Sequence, residues 1–183
     1  MNESPPPRVT LRLDELSSGI PALTPSLGLV HAESAAVCLA DQGHATTAQL
    51  HLRDRLEPQY ELQRSDVTDE MRRAYADMGR ATELGACGVA LLLIRQVTGL
   101  TAIHQSRKGT GFDYWLGPAN STGLVFQEAA RLEVSGLLAG TETQFKSRLK
   151  QKLQQPARSD DTRLPAYAVV VEFSRPQAQV AER

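Results

Sequence analysis

The stretch Leu84 to Ile94 carries no charged side chain, and it lies within DEMRRAYADMGRATELGACGVALLLIRQVTG, a run of good helix formers that Gly99 closes. It is shorter than the roughly 20 apolar residues needed to cross a bilayer, and too apolar to lie on a surface. A helix buried on most sides is therefore expected, the core helix of the fold. Ser65 or Asp66 are candidate caps for the helical region, which is either one long helix or two stacked ones.

A chain of 183 residues can bury such a helix in one main domain, whereas two full domains would each be small. With 41% hydrophobic, 22% charged and 5% aromatic residues, the composition is globular and excludes collagen-like, mucin-like and disordered chains. Twenty Lys and Arg against twenty-one Asp and Glu leave a net charge of −1, so any polyanion site has to be local. The start, MNESPPPR, has neither the basic end nor the apolar stretch of a secretory signal, so a cytoplasmic protein without membrane association is expected. Cys38 and Cys87 form no CxxC, and both read as small buried hydrophobes.

Residues 1–7 read as a flexible tail because consecutive prolines join neither a ladder nor a helix interior. Residues 8–183 read as a single domain: a β-rich extension over 8–64, a core over 65–173 and a tail over 174–183. In the extension, Val9, Leu11 and Leu13 alternate with polar residues as in a half-buried strand, and Ser17 to Leu27 reads as loop. Ser34 to Leu39 and Thr46 to Leu52, linked through Asp41-Gln42-Gly43-His44, suggest a hairpin, with a short strand at Tyr60 to Gln63. After the core helix come strand candidates at Leu100 to Ser106, Phe112 to Leu116 and Arg131 to Leu137. A helix follows, opened by the capping-box spacing of Thr141 to Gln144, built on Phe145, Leu149 and Leu153, and closed by Pro156. Ala166 to Phe173 reads as a central strand.

The chemistry concentrates in RKGTGFDYWLGPANSTGLVFQEAARLEVSGL, residues 107–137. A hairpin turning near Gly123 sets Asp113 opposite Glu133. Alternation then gives Phe112, Tyr114, Leu116, Leu132 and Val134 to the face against the core helix and turns both acids outward. Two carboxylates across a strand pair repel unless a metal cation or an Arg lies between them, and Arg131 is a candidate for that Arg.

An acid at the end of one strand followed on the next by Glu-x-Lys resembles the restriction-endonuclease-like (PD-(D/E)xK) nucleases, and the expected order of elements over 69–173 is also theirs. The resemblance implies an α/β fold with a core of helix, three strands, helix and strand. It implies Mg²⁺ held by Asp113 and Glu133, with Glu83 a weaker match to the acid that some members carry on the preceding helix. It also implies cleavage of DNA, in a context such as defence against phage or mobile elements. At the Lys position stands Ser135, which supplies no positive charge; Lys108, on a long stem just before the Asp113 strand, is the candidate stand-in. The alternative is an inactive nuclease-fold subunit that docks a protein partner such as a helicase or nuclease.

Lys146, Lys150 and Lys152, with Arg148 and Arg158, form a cationic stretch that reads either as a phosphate-binding face or as the solvated side of its helix. RKGTG is not a nucleotide P-loop and reads as a turn or a phosphate contact. His31, Glu33, His44 and His51 lack the helical spacing of a zinc protease. Trp115 shares the face of Asp113, as a stacking platform or as an amphipathic residue at a sheet edge.

Overall fold

The computed structural model describes residues 7–55, 58–119, 129–154 and 164–183. The strands are β1 (Arg8–Arg12), β2 (Thr47–Leu52), β3 (Gln59–Gln63), β4 (Thr101–Gln105), β5 (Tyr114–Gly117), β6 (Ala130–Leu137), β7 (Ala166–Glu172) and β8 (Gln177–Glu182). The helices are α1 (Pro25–Asp41), α2 (Asp69–Ala74), α3 (Met78–Thr98) and α4 (Glu142–Gln154), with a 3-10 turn at Leu13–Ser18. This is a mixed α/β fold built on one eight-stranded sheet in the order β1-β3-β2-β8-β7-β6-β5-β4. From Met78 to Glu172 the elements run helix, three strands, helix, strand.

The charge-free stretch is the buried length of α3, as expected. Although α3 has the length and apolarity to cross a membrane, most of its surface is buried inside the fold. Two helices occupy the helical region instead of one. Thr68 caps α2 and Asp77 caps α3, their side chains accepting from Met71 N–H and Arg80 N–H; Ser65 and Asp66 lie upstream of both caps. Gly99, left-handed at φ 74°, ends α3.

The expected strand at Ser34 to Leu39 is a helix. Thr24 caps α1 by accepting from Leu27 N–H, and Pro25 opens it. Ala32, Ala35, Ala36 and Leu39 then recur at helical spacing, all buried. Alanine favours helix over strand, and that decides an apolar run whose length is ambiguous. The expected hairpin is thus a helix followed by β2, and the N-terminal region is not all β. Glycines let α1 and α3 approach closely: a Cβ on Gly85 would lie 2.8 Å from the Ala35 backbone.

The C-terminal residues form a strand where a tail was expected. β8 pairs antiparallel with β7 and parallel with β2, and so joins the N-terminal strands to the rest of the sheet. Residues 1–6 and Pro156 lie outside the described residues. The Thr141 capping box is formed, with Thr141 N–H donating to Gln144 Oε1 and Gln144 N–H to Thr141 Oγ1. Gly136 marks the α3 face of the sheet, where an added Cβ would meet Thr82 and Ala86. One residue away, by strand alternation, Ser135 and Glu133 project to the other face, which α4 covers.

Candidate functional site

The β5–β6 register is the one the turn position predicted: Tyr114 faces Leu132, Trp115 faces Arg131 and Leu116 faces Ala130. The turn itself, in 120–128, lies outside the described residues. Asp113, one residue before β5, departs from the regular ladder. Its N–H donates to Leu132 O at 2.8 Å and its Oδ2 accepts from Val134 N–H at 2.8 Å. One residue thereby grips the backbone on both sides of Glu133.

Glu133 corrects the expectation of an outward face: it is only 5% exposed. The reason is α4, which packs across β6 and β7 on that side. Lys152, on the last turn of α4, donates to Glu133 Oε1. The Glu133 carboxyl is pushed up to about 7, first by burial and then by the charge of Asp113, with the Lys152 ammonium pulling the other way. A hydrogen bond that the protonated form gives to Asp113 adds to the upward shift.

Lys152 was expected among surface phosphate-binding cations and is instead largely buried in this pair. The signal was present in the sequence, since Phe145, Leu149 and Lys152 recur at helical spacing and share the sheet-facing side. Phe145 is fully buried and anchors α4, with the Arg53 guanidinium 4.8 Å above its ring. Lys146 pairs with Glu142 on the exposed side, and Lys150 is exposed. Arg158 lies outside the described residues.

A cleft of about 710 Å³ opens over the acid pair. Arg107 and Lys108 from the β4–β5 connection, and Arg148 and Lys152 from α4, line it, as do Ser135 and Glu83. Ser135 is buried beneath α4, while Lys108 and Glu83 are exposed. The structure thus brings Asp113, Glu133, Lys108, Ser135 and Glu83 to one cleft, whereas Lys146 and Lys150 line a separate hollow beside Arg53, and the ammonium that pairs with Glu133 is that of Lys152. Arg131, the candidate for separating the acids, donates to Leu164 O. Cys87 also lines the cleft; burial raises its thiol, and the carboxylates of Asp113, Glu133 and Glu83 raise it further. The Tyr114 hydroxyl is likewise raised, chiefly by burial and then by the charges of Cys87 and Asp113.

The RKGTG segment is a turn closed by Thr110 N–H donating to Arg107 O, with Gly109 and Gly111 at positive φ. Trp115 is half-buried, and Phe112 meets it edge to face at 4.7 Å. Of the histidines, His31 lines the same cleft with its Nδ1–H donating to Leu84 O, His44 Nε2–H donates to Phe173 O, and His51 is exposed. Glu33 accepts from the Tyr75 hydroxyl. Among the described residues no group of three or more His, Cys, Asp or Glu forms a ready metal cage. Asp113 and Glu133 are a pair of hard oxygen donors. That set suits Mg²⁺, which commonly takes one or two carboxylates and completes its shell with water and substrate phosphate. No family model, curated protein or solved structure matches the chain.

Proposed function

We propose that the protein is a metal-dependent nuclease with a restriction-endonuclease-like core, Asp113 and Glu133 being its metal ligands and Lys152 the cation of its site. The observation that carries this reading is the pairing of Lys152 with a buried Glu133 beside Asp113, in a cleft walled by further cations. The element order from α3 to β7 supports the core assignment. When bound, Mg²⁺ would neutralise phosphate charge and orient the attacking water.

The chain's own groups have separable tasks. Val134 N–H fixes the Asp113 carboxylate and Lys152 fixes that of Glu133, so both oxygen donors are positioned in advance. Lys152 supplies the positive charge that Ser135 lacks, reaching the acid from a neighbouring helix rather than from the same strand. Arg107, Lys108 and Arg148 offer the phosphate contacts that draw a polyanion to a chain with no net positive charge.

The test is cleavage of supercoiled plasmid, linear duplex and single strands by purified protein in Mg²⁺ or Mn²⁺, beside Asp113→Ala. Metal-dependent cutting that the variant loses is expected; no cutting of any substrate overturns the reading. A second reading, an inactive nuclease-fold subunit that binds a protein partner, is favoured by one observation: Val134 N–H and Lys152 already satisfy the acid pair without a metal. Absence of cleavage together with absence of Mn²⁺ binding supports it.

A further inference from the structure

The cleft holding the acid pair extends past Cys87 to the start of α1, where Leu23, Leu27 and Leu84 line it. Leu27 is 46% exposed and, with Leu29, is one of two large apolar side chains left open among the described residues. An open leucine at the mouth of a charged cleft adds nothing to phosphate binding.

Beside it His31 is buried and lines the same cleft. Its Nδ1–H donates to Leu84 O at 2.8 Å. Burial lowers its pKa, so the ring is neutral near pH 7 and Nε2 remains an acceptor. One end of the cleft is therefore walled by leucines and the neutral His31 ring, and the other carries Arg107, Lys108 and Arg148. A hollow of about 710 Å³ is of small-molecule size, with room for one nucleotide.

We infer that the Leu27–His31 end of the cleft is a subsite for one unpaired nucleobase, so that the site takes single-stranded nucleic acid; this rests on the nuclease reading above. The ring face packs against the leucines, and a ring N–H or exocyclic amino group donates to His31 Nε2. The cations hold the flanking phosphates. The recognised chemistry, a base joined to a phosphodiester, is shared by DNA and RNA.

The test measures fluorescence anisotropy in Ca²⁺ with labelled single strands of DNA and RNA, the matching duplexes, and a single strand of the same length carrying abasic positions. Single strands are expected to bind about tenfold or more tighter than duplex, with the abasic strand losing that advantage, as stacking contacts typically require. Leu27→Ser, at an exposed position, should weaken the single strand about tenfold, leave the duplex unchanged and erase the abasic difference. His31→Phe also loses the Leu84 contact, so it is read below its own melting midpoint, where single-strand binding should be weakened and duplex binding kept. The ratio between the DNA and RNA arms identifies the sugar. Duplex bound as tightly as single strand, or equal loss on both with Leu27→Ser, overturns the subsite and leaves the nuclease reading standing. Absence of binding to every nucleic acid overturns both.

Discussion

Lys152 on α4 and Glu133 on β6 form an ion pair on the covered side of the sheet, with side-chain exposures of 16% and 6%. Strand alternation places Ser135 on the same side, so the cation absent from β6 arrives from the helix that packs over it. The pair joins the packing of α4 directly to the electrostatics of the candidate site.

Lys152→Met leaves Glu133 buried beside Asp113 with its counter-charge removed. Stability at pH 8 is expected to fall by about 2 to 3 kcal/mol, since losing one partner of a buried pair strands the other. Adding Glu133→Gln should recover most of the loss. Urea denaturation reads both effects, and a loss below about 0.5 kcal/mol would show the pair to be energetically slack.

Glu133 also sets a pH dependence. Its folded pKa, about 7, lies above the ordinary 4.5, so the folded state holds the proton more tightly than the unfolded chain does. The stability it contributes is full below the ordinary value and is lost as pH rises through about 7. Without divalent metal, the wild-type melting temperature should therefore decline across that window, and Glu133→Gln should flatten the decline. Parallel curves would show that the carboxyl is not held up.

The two sides of this site differ in how legible they were in the sequence. The β5–β6 register followed from Tyr114, Leu116, Leu132 and Val134 alternating against the core helix; it holds from Tyr114 to Leu116, and Asp113, just outside it, bonds the backbone on either side of Glu133. The burial of Glu133 depends on where α4 lands, a long-range fact that strand periodicity does not contain. Lys152 lay on the stripe with Phe145 and Leu149, but its charge grouped it with the exposed lysines. Ala35, Ala36 and Leu39 passed for a strand because a short apolar run fits either period. In β8, Ala178 and Val180 stand among polar residues, and only pairing with β7 and β2 reveals the strand.

Asp113→Asn keeps an oxygen that can accept from Val134 N–H and removes a charge repelling Glu133. Melting temperature should be unchanged or slightly raised, and the Glu133 pKa, read by NMR titration, should fall. Asp113→Ala lacks that acceptor and should be less stable than Asp113→Asn by about 1 kcal/mol. Equal stability of the two variants would show that the Val134 contact carries no weight.

Phe145 and Leu149 sit on one side of α4 but differ in depth, the first fully buried and the second half-buried. Phe145→Ala is expected to cost about 3 to 5 kcal/mol. Leu149→Ala should cost less than Phe145→Ala, because part of its surface already meets solvent. Guanidinium titrations separate the two, and equal losses would place Leu149 deeper than the structure does.

The most direct test of the central claim, that Lys152 supplies the cation of the site, is the single-turnover cleavage rate of Lys152→Met against wild type in saturating Mn²⁺. A fall of about a hundredfold or more is expected, the scale of losing one preorganised charge at a reacting phosphate, with Mn²⁺ binding retained. A rate within threefold of wild type would contradict the account.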